Sequence, residues 1–176
     1  GWRGTPTTFS QNWHAWQPQK APRIFRPVKN SNERVEFNLE LPDAGSGTLS
    51  FALADGKFKG ILDLRKGSLI RTLCLQTPLP VSLYAGNKVE IDGKLHEFPV
   101  EFGKETVFDG TAKRVRIPSK TGEILFEGNF HFRIQDGRKW NGSTFGMRIG
   151  FLPHDGKVSK AELSFTVRHG KAGEFG

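Results

Sequence analysis

The sequence predicts an all-β fold, an antiparallel β-sandwich of about ten strands behind an extended leader. Three observations predict it. Val35, Phe37, Leu39 and Leu41 alternate with Glu36, Asn38 and Glu40, and Phe145, Met147, Ile149 and Phe151 alternate with Gly146, Arg148 and Gly150. A two-residue period turns successive side chains to opposite faces of a strand, so each run has one apolar and one wetter face. Between the runs stand Asp55-Gly56, Asp92-Gly93, Asp109-Gly110, Asp136-Gly137, Asn141-Gly142 and Asp155-Gly156, pairs that reach the positive φ angles of tight hairpin turns. Turn signals recur at a spacing of roughly 8–12 residues, the mark of a sandwich or barrel. No fragment of ten or more residues carries a helical stripe.

Residues 1–32 hold Trp2, Trp13 and Trp16 together with Pro6, Pro18, Pro22 and Pro27, and show no sustained period. Prolines this dense exclude a long helix and disfavour a central strand. The segment therefore reads as an extended leader packed on the sandwich, with at most one helical turn near residues 9–16. Three tryptophans set it apart from disordered segments, which are poor in aromatics. The sandwich domain is expected over 33–170, with strands at 34–41, 47–54, 57–64, 68–76, 80–84, 88–92, 96–102, 112–117, 123–135 and 144–151, and a last one at 158–168. The stretch 123–135 exceeds a usual strand, so Gly128-Asn129 is expected to break or bulge it. Residues 171–176 read as a tail or linker.

A length of 176 residues suits one domain with a sizeable core, and fifteen Phe and four Trp against one Tyr and one Met make that core bulky and rigid. No run approaches the roughly 18 apolar residues of a membrane-spanning helix, so no membrane partner is expected. Cys74 is the only cysteine; an intramolecular disulfide is excluded and a buried thiol is the expectation. The net charge of +8 would suit nucleic acid, an anionic polysaccharide or an acidic surface. The basic residues are scattered, without the aromatic-interleaved stripe of a single-strand binder, so no specific nucleic acid is expected.

Little of the sequence calls for catalysis, a metal or a cofactor. The histidines at 14, 96, 131, 154 and 169 show no His-x-x-x-His spacing. Asp43-Ala44-Gly45-Ser46-Gly47 is glycine-rich, yet it joins two strands and reads as a hairpin loop. Glu90-Ile91-Asp92-Gly93-Lys94 approaches the Glu-x-Asp-x-Glu strand of retaining β-sandwich glycosidases. There the acids share a face and lie roughly 5 Å apart. Here the third acid is replaced by Lys94, and Asp92-Gly93 reads as the turn itself.

The hairpin over 123–151 carries a more coherent cluster. With Phe130, Phe132 and Ile134 facing the core, His131, Arg133 and Gln135 project from the other face. With Phe145, Met147 and Ile149 inward, Arg148 joins them, flanked by Gly146 and Gly150. The connecting loop carries Arg138, Lys139, Trp140 and Asn141. An indole that stacks on a sugar, beside Arg, His, Gln and Asn that reach its hydroxyls, is what a carbohydrate site requires. The candidate ligand-binding residues are therefore Trp140, Asn141, His131, Arg133, Gln135 and Arg148. The competing reading is a wet sheet face with Trp140 capping its end. Arg114 and Arg116 extend a possible basic face suited to uronate or sulfate groups. Trp13 and Trp16 beside His14 form either a second aromatic platform or a pin that holds the leader to the core.

In its Phe-rich strand pattern over 34–168, its tryptophan-bearing leader and the run Thr144-Phe145-Gly146-Met147-Arg148-Ile149-Gly150-Phe151, the chain resembles the β-sandwich and supersandwich accessory domains of bacterial polysaccharide-degrading enzymes. The resemblance implies a jelly-roll or supersandwich scaffold and an extracytoplasmic setting, secreted or periplasmic. It also implies a role in holding or flanking a glycan beside a neighbouring catalytic domain. The leading expectation is a non-catalytic carbohydrate-binding or accessory module, whose partner is a polysaccharide or oligosaccharide, acidic ones included. One alternative is a glycoside hydrolase or polysaccharide lyase on a jelly-roll scaffold. In a lyase Arg133 or Arg148 would neutralise a uronate and His131 would act as base. The other is a structural protein-interaction module that docks through the leader.

Overall fold

A computed structural model describes residues 3–176 of the chain; Trp2 lies outside the described residues. The chain is all-β, with 61% of residues in strands of an antiparallel sheet and 5% helical, so no helical layer takes part in the core. The strands are β1 (Thr5–Phe9), β2 (Ala15–Trp16), β3 (Phe25–Asn30), β4 (Arg34–Leu41), β5 (Gly45–Ala54), β6 (Lys57–Leu64), β7 (Thr72–Pro80), β8 (Lys88–Ile91), β9 (Lys94–Glu97), β10 (Thr106–Ser119), β11 (Gly122–Asp136), β12 (Thr144–Gly150) and β13 (Lys160–Gly170). One helical turn, α1 (Val81–Tyr84), follows β7, and a 3-10 turn spans Gly137–Trp140. The chain divides into two compact units, Thr5–Leu75 with Gly150–Ser164, and Gln76–Ile149 with Phe165–Gly176 and residues 3–4. The division falls within β7, β12 and β13.

In the first unit β3, β4, β5 and β6 form an antiparallel meander, with Arg34 opposite Ala52 and Gly47 opposite Leu64. Side chains of β6 alternate strictly between exposed and buried, which sends Phe58, Leu62 and Leu64 inward. Asp55 and Gly56, at φ 52° and 71°, make the two-residue turn that joins Ala54 to Lys57. Both positive angles match the twist of the flanking strands. The hairpin loop expected over Asp43–Gly47 is shorter, because Leu41 pairs with Gly45 and Gly45–Gly47 already belong to β5.

The first 32 residues carry strands where an extended leader was expected. Phe9 pairs with Ala15 and Thr8 with Trp16, so residues 9–16 form a hairpin and not a helical turn. Trp13 takes φ 64° at its tip. Phe25 pairs with Leu39 at the head of β3, whose remaining residues are exposed. Pro27 sits at a register shift of this strand, a place where its missing N–H breaks no interior ladder.

A glycine inside β5 marks a close backbone approach. A Cβ on Gly47 would lie 2.3 Å from the Asp63 carbonyl oxygen and 2.6 Å from the Leu64 Cα. Gly47→Ala should therefore push β5 from β6 and cost about 1–3 kcal/mol, as overpacking does, read as a lower urea midpoint. Gly103→Ala, where the added carbon meets nothing within 4 Å, serves as the near-neutral comparison.

In the second unit β11 is the centre. It pairs with β10 from Thr106↔Gln135 to Ser119↔Gly122, through the two-residue turn Lys120-Thr121. Its other neighbours are β12 and β13, and β7 flanks β12. Strand β8 pairs with β10, and β9 with β8. Between Ala112↔Phe130 and Arg114↔Glu127 the register shifts, so Gly128 and Asn129 face Lys113 alone. This is the bulge that the length of the segment predicts. Phe98, Phe126, Phe130, Phe132, Phe145 and Phe165 are buried in this unit.

Three expectations fail locally. Asp109-Gly110 is no turn: Asp109 lies opposite Arg133 and Gly110 opposite Phe132 within β10, because the ladder with β11 holds the pair extended. Residues 80–84 are a helical turn in place of a strand, with the N–H of Val81 donated to the Ser143 carbonyl. The strand expected at 96–102 ends at Glu97, after which Phe98 turns into the core.

Candidate functional site

The C-terminal end of β11 and the 3-10 turn build a connected polar constellation in the second unit. Asp136 is fully buried at the last position of β11. It caps the turn by accepting the Arg138 backbone N–H at 3.1 Å, the usual work of an aspartate at an N-cap. The Arg138 guanidinium donates back to the same carboxylate, Nε to Oδ1 at 2.9 Å and Nη2 to Oδ2 at 2.7 Å. Its outer edge donates to the carbonyls of Pro99 at 2.9 Å and Val100 at 2.5 Å. Burial by itself would raise the Asp136 pKa, but the hydrogen bonds and charge of Arg138 outweigh it and hold the carboxyl below its ordinary value. The carboxylate in turn raises the Arg138 pKa through the same bonds. Arg138 is thus a strut between the turn and the 99–100 segment.

Lys139 and Trp140 project from the turn that this strut holds. The Lys139 ammonium donates to Glu105 Oε2 at 2.5 Å and lies 5.4 Å from the centre of the Trp140 ring. Glu105 also accepts from Gln135 Nε2 at 3.2 Å. The Lys139 hydrogen bond, helped by the charges of Lys139 and Arg133, keeps the Glu105 pKa below its ordinary value. Trp140 remains 58% exposed. Asn141, in the left-handed conformation at φ 60°, closes the turn and is exposed beside it. An amide side chain tolerates that conformation better than most.

The six sequence-derived site residues do not form one open face. Trp140 and Asn141 are exposed at the turn, and Gln135 reaches it through Glu105. Arg133 is half-buried on β11, and its Nε is buried with no hydrogen-bond partner. Arg148 is half-buried on β12, alternating with Met147 and Ile149. His131 departs from the expectation of an accessible side chain: it is only 6% exposed, and its Nε2 lies 2.6 Å from Asp109 Oδ1. Lying opposite Thr111 in the middle of β11, it is covered by its neighbours on the sheet. A base that must reach a bound sugar is poorly served by such a position.

Arg114 and Arg116 also differ from expectation. They are not a basic face waiting for an anion: Glu90 bridges them, Oε1 to Arg114 Nη1 at 2.9 Å and Oε2 to Arg116 Nη2 at 2.7 Å. Glu123 adds a further contact to Arg116 at 3.5 Å. Glu90 is therefore a structural counter-ion, and Asp92 accepts the N–H groups of Lys113 and Arg114 from the hairpin turn. In the first unit Trp13 stays 45% exposed while its ring is held by two neighbours. The Arg71 guanidinium lies 4.3 Å over the Trp13 ring and holds Asp155 at 3.1 Å, while Phe9 meets Trp13 edge-on. Cys74 is buried in β7. Comparison with family models, with curated proteins and with solved structures gives no match.

Proposed function

We propose that this chain is a non-catalytic carbohydrate-binding or accessory module of a secreted bacterial glycan-processing protein, built on a jelly-roll or supersandwich scaffold, and that Trp140 makes the principal sugar contact. The exposed indole carries the proposal. A large aromatic left 58% exposed on a short turn offers a flat apolar face on which a sugar ring can stack. The Asp136–Arg138 strut holds that turn in one geometry, so little ordering is required when a ligand binds. The Asn141 amide beside the ring offers both a donor and an acceptor to sugar hydroxyls. Polysaccharides or oligosaccharides, acidic ones included, are the ligands this arrangement suits, and a neighbouring catalytic domain is the natural companion of such a module.

Affinity electrophoresis against a panel of neutral and acidic polysaccharides tests the reading. The wild-type chain should be retarded by at least one of them. Trp140→Ala should weaken that binding by about 1–3 kcal/mol, the usual scale for an aromatic anchor, with an unchanged circular dichroism spectrum. Absence of retardation by every polysaccharide would remove the binding role.

A further inference from the structure

We infer that the second unit holds a binding site for an amphiphile with an aliphatic body and a carboxylate head, in a cavity separate from the Trp140 turn. The cavity measures about 640 Å3, within the range of small-molecule sites. Leu79, Ile117, Ile124 and Met147, from β7, β10, β11 and β12, form a buried floor, and Pro78, Pro80 and Leu83 supply the exposed apolar lining. The permanently charged lining, Arg3 and Lys120, is of one sign. Arg3, Lys120 and His169 line the cavity and no Asp or Glu does. The nearby acids on β11 are committed elsewhere, Glu123 to Arg116 and Glu127 to Arg168.

The polar groups lie where a head group would be wet. Arg3, Lys120 and His169 are all exposed, so they mark the mouth. Tyr84, its ring packed edge-on to Phe98 at 5.6 Å, lines the same cavity. Its hydroxyl, protonated at neutral pH, can donate a hydrogen bond to a carboxylate oxygen. Leu83 lines the cavity yet stays 46% exposed, apolar surface that an acyl chain would cover. This inference stands apart from the glycan reading, since the cavity is lined by none of the residues of the Trp140 turn.

Met147 makes the site directly observable, because it is the chain's single methionine and its methyl-13C label gives one assigned resonance. Titration with dodecanoate, held below its micelle concentration, should shift that resonance saturably. Dodecyltrimethylammonium should not. The double variant Arg3→Glu/Lys120→Glu should weaken dodecanoate binding about tenfold or more and leave the response to dodecanol unchanged. Trp140→Ala should leave the dodecanoate titration as in the wild type, which keeps the two readings distinguishable. A Met147 resonance unmoved by dodecanoate, or moved equally by the cationic amphiphile, overturns the assignment.

Discussion

Phe130→Ala is expected to destabilise the chain by about 3–5 kcal/mol, the range for removing a buried aromatic side chain. Phe130 is fully buried in the residue after the Gly128-Asn129 bulge. Its ring meets Phe132 at 6.4 Å and Phe165 at 6.1 Å, both in edge-on geometry. Truncation removes these contacts and opens a cavity between β11 and β13. The side chain cannot be replaced by a small shift of its neighbours, because Phe126 already packs edge-on to Phe165 at 5.7 Å. Urea unfolding followed by circular dichroism reads the change as a lower midpoint. Phe102→Ala, at a ring 45% exposed, should change the midpoint little. Equal stability of Phe130→Ala and the wild type would show that this cluster is not the core of its unit.

Asp136→Ala should cost about 3 kcal/mol, the upper scale for buried hydrogen bonds to a charged group, and the cost should depend on pH. The variant removes the cap of the 3-10 turn and leaves the inner edge of the Arg138 guanidinium without its carboxylate. The sign of the pH effect follows from the lowered pKa of Asp136 in the folded chain. A carboxyl with a folded pKa below its unfolded value of about 3.9 contributes its full stabilisation above that value. The contribution disappears as pH falls through the folded pKa. The gap between wild type and Asp136→Ala should therefore be constant near neutrality and close in acid. A gap that persists unchanged at strongly acidic pH would show that the carboxylate charge contributes nothing. Because the same strut mounts Trp140, the variant should also weaken any glycan that the wild type retains.

Local chemistry carried a good part of the architecture. The alternation of 34–41 and 57–64 and the positive-φ preference of Asp55-Gly56 and Asp92-Gly93 act within a few residues, so strands and turns there follow from sequence alone. The excess length of 123–135 likewise places a bulge at Gly128-Asn129 without knowledge of its partner strand. The same local rule misreads Asp109-Gly110, since a dipeptide that favours a turn stays extended when both flanks are paired in a ladder.

The site was legible only in part, and for the same reason. Trp140 and Asn141 belong to a short turn, and their exposure is a local matter. What surrounds them is not: Glu105 lies 30 residues before Gln135 and 34 before Lys139 in the chain, and no motif links them. Alternation tells which residues share a face of one strand, but register decides which residue of the next strand stands opposite. Register placed Asp109 beside His131 and buried a histidine that parity alone would put in water. It set Glu90 between Arg114 and Arg116 and so turned an apparent anion-binding face into a neutralised one. The sequence by itself determined the strand class and turns such as Asp55-Gly56 and Asp92-Gly93, because these rest on backbone preference and side-chain parity. Only the tertiary structure decided which charges are spent on one another and which cavity remains lined by cations, because charge pairing depends on contacts between strands tens of residues apart.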